Sequence, residues 1–425
     1  MVKPKKTYSS LEDWEPLIPS KFHYFQKFSK IDDTDLNIIF KMTEKPDSPR
    51  NVRKISQELG LPQQTVNYRV QRFDKEELVR FRAITNETLL GLNNYVVVVT
   101  VKPGLVYVKE PKAPTERKPE KHEEIDAATF LTCYPVWRLV EEVHGGTVHG
   151  FCVVYSIPPE KENDLRSFLN ELESIGCISK LNEFQRVTPS GFSTPSQELL
   201  QLVRKRALTQ GQSMRFNWES WVDQFEEAPE TTLTEEKPRS EFTFEYEDLL
   251  VLFHLEGNLR ERFADIAKDT GEPSAKVARR YKEILRRRLI AGCRVEISPI
   301  DPRESVHLTI KVDFTDGTAL GKFVTQLNEI PYPVTYQKIV GKNVLFLHLM
   351  VPSSEYGDFH HVFESLSRRL GVTCSFDLYM STYFSKYDNV MLYKAFSKEE
   401  GNWSFSRNVI HKALRKKIEE TKFRF

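Results

Sequence analysis

The chain has 425 residues, 40% of them hydrophobic and 28% charged, with a formal net charge of +1. This composition supports several buried cores and excludes a disordered chain, and the near-neutral balance excludes indiscriminate affinity for polyanions, so any nucleic-acid contact has to come from local basic faces. No run of about eighteen apolar residues occurs, and Met1-Val-Lys-Pro-Lys-Lys lacks the apolar core of a signal peptide, so a cytoplasmic protein without membrane contact is expected.

An aromatic-rich segment over residues 14–28 precedes the first periodic pattern and is expected to cap it. Leu36, Ile38, Ile39 and Met42 form the stripe of a helix that starts after Asp32, Asp33 and Thr34, with acids at its positive end. Val52, Ile55 and Leu59 mark a second, shorter helix, and Gly60 supplies the left-handed residue that stops it. Pro62 opens a third, in which Val66, Val70 and Phe73 face inward. Gln63, Gln64, Thr65, Asn67, Tyr68, Arg69 and Arg72 are left for its outer side. Gln and Asn bond bidentately to adenine edges, Arg to guanine or phosphate, and Tyr to phosphate, so this is a candidate DNA-binding face. Residues 79–84 then read as a wing that offers Arg80 and Arg82 to phosphates.

Next come a strand at 95–101, a helix at 125–133, strands at 136–143 and 151–157 around Gly145-Gly146, a helix at 160–175 and a strand at 177–187. That order predicts a ferredoxin-like split βαβ unit. A Pro, Lys and Glu tract at 109–124 is inserted as a surface loop. Further on, residues 196–207 make a basic amphipathic helix. Phe216, Trp218, Trp221 and Phe225 form an aromatic cluster, read as a docking surface between domains rather than a base-stacking platform because no basic residues interleave it. Residues 226–241 are acidic and read as a linker.

Beyond that linker the helical pattern returns. Ile55 to Val66 lines up with Ile266 to Val277 at an offset of 211, with Gly60 on Gly271 and Pro62 on Pro273, and the same offset pairs Ile38 with Leu249, Val52 with Phe263, Val70 with Tyr281 and Leu78 with Leu289. The second outer face carries Ser274, Lys276, Arg279, Arg280, Lys282 and Arg287, more suited to gripping phosphates than to reading bases. A wing with Arg294 is expected at 290–297. Strand, helix, strand, strand, helix, strand then follow at 306–313, 318–327, 334–340, 344–351, 354–370 and 372–379. The last stretch, 405–425, sets Val409, Leu414 and Ile418 against Arg407, His411, Lys412, Arg415, Lys416 and Lys417 as a basic amphipathic helix.

A winged helix-turn-helix followed by a ferredoxin-like unit, with an opening helix written Ile31-Asp-Asp-Thr-Asp35-Leu-Asn-Ile-Ile39, resembles the leucine-responsive regulator and AsnC family of archaeal and bacterial transcription factors. The fold expected is therefore α+β: tandem winged helix-turn-helix domains, each followed by a ferredoxin-like βαββαβ domain. Its expected divisions are an extension (1–30), a first winged helix (31–88), a first ferredoxin-like domain (89–190), a helix and linker (191–241), a second winged helix (242–298), a second ferredoxin-like domain (299–385) and a basic helical tail (386–425). The resemblance implies double-stranded DNA as partner, third helices in successive major grooves, and ferredoxin-like sheets that pair, either between two chains as a homodimer or within one chain as a covalent pseudo-dimer. Members that sense amino acids carry a glycine- and aspartate-bearing turn between the central strands. Residues 143–149 and 339–343 match it poorly, and a plain hairpin or a small-molecule effector site both stay open there.

No catalytic or cofactor motif is written in the chain: there is no phosphate-cradling glycine loop, nucleophile elbow or HExxH. Cys133, Cys152, Cys177, Cys293 and Cys374 are scattered without disulfide or zinc spacing. His360 and His361 are adjacent and expected to face apart, so no metal is expected either. The rival reading is an enzyme resembling the siroheme decarboxylases, which have a similar two-domain layout, with His144, His149 and His348 on or beside central strands as its candidate histidines. A winged-helix module that binds a partner protein is the third reading.

Overall fold

The computed structural model describes residues 27–102, 127–193, 216–233, 244–297, 304–332, 334–370, 374–381, 387–388 and 393–421. The tract at 109–124, the helix expected at 196–207 and most of the segment at 14–28 lie outside the described residues.

Helix α1 (Asp33–Thr43) is closed at its start by a reciprocal capping box between Asp32 and Asp35, which satisfies two orphan amides at the positive end of the helix. Helix α2 (Val52–Leu59) stops at Gly60, whose φ of +63° is the left-handed conformation a Cβ disfavours. Helix α3 (Gln63–Lys75) follows Pro62 and buries Val66, Val70 and Phe73. Strand β1 (Arg80–Thr85) leads into a first ferredoxin-like set: β2 (Asn93–Val101), α4 (Ala127–Leu131), β3 (Trp137–Gly145), β4 (Val148–Ile157), α5 (Glu162–Ser174) and β5 (Ile178–Val187). A short strand β6 (Gly191–Ser193) and a one-turn helix α6 (Trp218–Asp223) precede a second helix trio, α7 (Tyr246–Gly257), α8 (Phe263–Thr270) and α9 (Ser274–Arg286), with β7 (Ile290–Glu296) after it. The second sheet set is β8 (Ser305–Phe314), α10 (Gly317–Gln326), β9 (Val334–Lys338), β10 (Val344–Pro352), α11 (Tyr356–Leu370) and β11 (Cys374–Ser381), and α12 (Arg407–Thr421) ends the described chain. Among the described residues no helix is long and apolar enough to cross a membrane.

One expectation about register is corrected. In α8 and α9 the offset of 211 holds, with Val277, Tyr281 and Ile284 buried where Val66, Val70 and Phe73 are. In α7, however, Asp248, Leu249, Val251, Leu252 and Leu255 take the places of Asp35, Leu36, Ile38, Ile39 and Met42, an offset of 213. Ile38 therefore answers to Val251 and not to Leu249. The connection between the first two helices is two residues shorter in the second trio, and the burial pattern, which the capping boxes of α1 and α7 share, sets the true alignment.

The two trios are not separate heads on separate cores. Strands β1 and β7, expected as two wings, pair with each other antiparallel from Arg80↔Glu296 to Thr85↔Ile290, and a single cluster of buried side chains runs from Phe28 and α1 through both strands to α9. Reciprocal clamps reinforce the join: Arg50 lies 4.2 Å over the Phe263 ring and donates to the Glu261 carbonyl, while Arg260 pairs with Asp74 at 2.8 Å and donates to the Pro49 carbonyl.

Beneath this body lies a ten-stranded sheet whose main path is β5-β2-β4-β3-β11-β8-β10-β9-β6. Each half has the ferredoxin-like strand order, and all its ladders are antiparallel. The halves join edge to edge twice. Strand β3 meets β11 at Val143↔Ser381 and His144↔Met380, and the end of β5 meets β9 through the Val187↔Ile339 bridge, with Thr188 donating to Lys338 at 2.8 Å and Val340 to Arg186 at 3.0 Å. Strand alternation sends Tyr95, Val97 and Val99 outward beneath α4 and α5, and Val96 and Val98 inward, where they pack with Cys152, Val154, Ile339 and Phe346. Burying each such side chain contributes roughly 1.5–3 kcal/mol.

The outer layers are completed from a distance in sequence. Trp218, Trp221 and Phe225 are buried against α10 and α11, with Trp218 Nε1 donating to Glu355 and Trp221 Nε1 to the Gln326 carbonyl, so the aromatic cluster belongs to the core of the second half and is not a surface between domains. The first part of the acidic connection is laid along α10: a Cβ on Gly321 would sit 2.6 Å from the Thr231 carbonyl oxygen. Helix α12 buries Ile410 and Leu414 on the first half, while Val409, expected on its apolar edge, is 62% exposed.

Candidate nucleic-acid interface

The outer face of α3 presents Gln63, Gln64, Asn67 and Tyr68 to solvent, with Thr65 half-buried beside them. Tyr68 is 67% exposed, the most open large apolar side chain among the described residues. Its ring makes no buried packing contact, so both the ring and its hydroxyl are open to a partner. On α9 the equivalent face presents Ser274, Lys276, Arg279 and Lys282, followed by Arg286 and Arg288. Lys276 leans on Glu272 at 2.7 Å and Arg286 on Glu283, whereas no ion pair engages Arg279 or Lys282 among the described residues.

Several arginines expected on these surfaces do other work. Arg69 bridges Asp32 at 2.6 Å and Asp35 at 2.7 Å, and Arg72 also takes Asp35, so both guanidiniums are tied to the capping box of α1. Burial pushes the Asp32 carboxyl up, and the Arg69 guanidinium, helped by the Asp35 amide, outweighs it and leaves the group below its ordinary value. Arg280, at the matching position of α9, is only 8% exposed and holds Glu245, Asp248 and Glu272 at 2.6 to 2.7 Å. Its hydrogen bond pulls the Glu272 carboxyl down to about 2. The three carboxylates in turn raise the Arg280 guanidinium above its ordinary value. Arg69 and Arg280 stand three residues after Val66 and Val277 and one before Val70 and Tyr281, at the border of the buried stripe, where a long side chain folds back onto the first helix. Arg280 is therefore withdrawn from the DNA-binding set.

The wing residues are corrected for a different reason. Arg82 is 5% exposed, with Nε donating to the Glu256 carbonyl at 2.7 Å and Nη1 to Glu296 at 3.1 Å. Arg294 pairs with Glu296 at 2.5 Å and stacks over Phe192. Because β1 and β7 satisfy each other's backbone groups, the inward side chains of both point at the sheet below and not at a duplex. Arg287 lies beside Glu283 at 2.6 Å and is half-buried.

Residues 31–80 match the family described as winged helix-turn-helix DNA-binding. The matched span covers α1 to the start of β1 and contains the outer face of α3. No curated protein matches the chain. Among solved structures, the siroheme decarboxylase NirDL is similar with a TM-score of 0.49 at 13% identity, over 92% of this chain and 100% of that one. NirDL in complex with an iron-uroporphyrin III analogue gives the same score and identity, over 92% of this chain and 99% of that one. Aspartate kinase from Synechocystis is similar with a TM-score of 0.27 at 8% identity, over 82% of this chain and 56% of that one.

The histidines of the rival reading do not form one group. His144 and His149 touch at the tip of the β3–β4 hairpin, and His144 also pairs with Glu142 at 2.9 Å, whereas His348 is buried inside the sheet. The expectation that His360 and His361 face apart fails: their ligand atoms and that of Glu364 lie within 4.8 Å of one another, because Glu364 is reached at i+4 from one and i+3 from the other. Cys133, Cys152, Cys177 and Cys293 are buried and form no disulfide. Burial raises the Cys177 and Cys293 thiols to about 12, which keeps them protonated and inert. The Cys374 side chain lies outside the described residues.

Proposed function

We propose that the protein is a sequence-specific DNA-binding transcriptional regulator of the leucine-responsive regulator and AsnC type, in which two helix trios on one chain act as a covalent pseudo-dimer. The observation that carries this reading is the bare hydrogen-bonding face of α3, with Gln63, Gln64, Asn67 and Tyr68 exposed, inside a segment that matches a DNA-binding family. Gln and Asn there suit adenine edges in a major groove, and Tyr68 suits a phosphate. Arg279, Lys282, Lys276 and Ser274 on α9 supply a second contact that is mainly electrostatic.

The partner is double-stranded DNA, and the preferred site is asymmetric, since one face donates and accepts hydrogen bonds and the other is cationic. The shared core and the β1–β7 pairing fix the spacing of the two faces, so half-site spacing is a property of the fold rather than of a flexible tether. No chemical step belongs to this reading. Selection of bound fragments from random duplex DNA, at a stated salt of about 50 mM, tests it. Enrichment of one asymmetric site, relaxed at one base position by Asn67→Ala, is expected. Absence of duplex retention at that salt overturns it.

A further inference from the structure

Between the paired strands β1 and β7 and the inner face of the sheet lies a cavity of about 100 Å³. Its roof includes Arg82, Thr85 and Arg294, and its floor includes Arg138, Gln337 and His348. Thr85, Gln337 and His348 are 3%, 1% and 4% exposed, and Thr85 Oγ1, Gln337 Nε2 and His348 Nε2 have no hydrogen-bond partner. Each such buried group costs about 1–3 kcal/mol if left unsatisfied, so three of them around one cavity call for an occupant.

The opposite half of the sheet shows that the fold does not need them. By ladder register Val98, Cys152 and Val143 hold the positions that Thr309, His348 and Gln337 hold in the second half. The first half fills those places with apolar side chains and is fully buried there. The second half carries a polar set, and it is organised: His348 Nδ1 lies 3.0 Å from Glu141 Oε2, and Thr309 Oγ1 is 2.9 Å from the same oxygen. Glu141 comes from the other half of the sheet, so the imidazole is held across the join with Nε2 as its remaining atom.

We propose that this cavity binds a two- or three-carbon monocarboxylate, such as acetate or propionate. Size sets the scale: a cavity of about 150 Å³ holds benzene, so this space suits a guest of about four or five heavy atoms. Donor chemistry sets the class. The Arg138 guanidinium takes Glu256 bidentately at 2.9 Å and Glu87 at 3.4 Å, and Arg82 and Arg294 both reach Glu296, so the lining arginines are already paired and the groups left for a guest are the Gln337 amide, the Thr85 hydroxyl and His348 Nε2. A carboxylate accepts from Gln337 Nε2 and from the Thr85 hydroxyl. With Nδ1 turned to the Glu141 carboxylate, His348 Nε2 is left to hydrogen-bond a carboxyl oxygen, a contact that an apolar guest does not supply. The two or three carbons fit against Leu139 and Val154, which also line the space.

Isothermal titration calorimetry of the full chain with sodium acetate and sodium propionate, against chloride, sulfate and phosphate as controls, tests this without reference to DNA. One site per chain with Kd below about 1 mM is expected for a carboxylate, within the range so few atoms allow. Gln337→Val, which copies the side chain of the first half, is expected to weaken it about tenfold with a Tm no lower than that of the wild type, and Thr85→Val to weaken it as well. No heat from any carboxylate means that water alone fills the cavity and overturns the proposal. So does binding of phosphate or sulfate in preference, or carboxylate binding unchanged in both variants.

Discussion

Arg279 and Arg280 are adjacent in sequence, yet the structure gives them opposite roles, and replacing them separately is the sharpest test of the interface. Arg279 and Lys282 are exposed and engage no ion pair among the described residues, so each is available to one phosphate. Each contact contributes about 0.9 to the slope of log K against log salt, so Arg279→Ala with Lys282→Ala lowers the slope by about 1.8 and, at about 0.1 M salt, weakens binding about sixty-fold for all sequences alike. Arg280→Ala removes no contact with DNA. It leaves Asp248 half-buried without its cation and Glu272 with Lys276 alone, and breaking a buried pair in this way costs about 3 kcal/mol or more. The assays are fluorescence anisotropy over a salt series and a denaturant melt on the same preparations. The double variant is expected to melt as the wild type with a flatter salt plot, and Arg280→Ala to melt early with the wild-type slope. An Arg280→Ala protein of full stability whose salt slope is reduced would refute the placement of that side chain, and an unchanged slope in the double variant would remove α9 from the interface.

Four further outcomes are expected. Asn67→Ala relaxes sequence choice by about 1–3 kcal/mol at one base position, which competition against substituted sites measures. Tyr68→Ala leaves thermal stability unchanged, because the ring is already exposed, and weakens binding to DNA; a lowered Tm contradicts the assignment. Glu272 has its folded value held at about 2, below the ordinary 4.5, so its contribution to stability is complete above about 4.5 and drains as pH falls toward 2. In Glu272→Gln the stability should fall less steeply over that window, and equal acid titrations of the two proteins would count against the pairing. Gly321→Ala drives a methyl into the Thr231 carbonyl and should cost about 1–3 kcal/mol in a thermal melt.

The helices and strands were legible in the sequence because their signals are local. Gly60 and Gly271 do stop their helices in the left-handed conformation, acids do stand in the first turn of the opening helix, and the strands expected at 95–101 and 344–351 are there. What was not legible depended on contacts far apart in the chain. Residues 80–85 and 290–296 look like wings because a short strand with arginines is all a local window contains, and nothing in either window says that the other strand is its partner. The arginines failed for a related reason: Arg69 and Arg280 sit at the edge of a helical stripe, where spacing alone does not decide between solvent and the neighbouring helix. The acids at Asp32, Asp35 and Asp248 were the available signal, since a carboxylate pair in the first turn of one helix is a natural seat for a guanidinium on the next. A constant offset of 211 conceals this, because it matches Asp35 with Tyr246 instead of Asp248.

Joining the two halves in one chain has a physical consequence that two identical chains could not have. In a symmetric dimer every side chain occurs twice about the axis, so a polar group introduced for binding has to be accommodated at both copies, and a cavity on one side is a cavity on the other. Here the ladders of the two half-sheets run in matching register while their inward side chains differ: Val98, Cys152 and Val143 fill one side, and Thr309, His348 and Gln337 leave room on the other. The helix faces divide in the same way, with neutral hydrogen-bonding groups on α3 and cations on α9. The cost of burying His348 and Gln337 is met once, on one side, while the apolar places of the other side retain the packing that holds the closed sheet together. Asymmetry of side chains on a symmetric backbone is therefore what allows one chain to combine a stable core with a polar cavity under its paired strands.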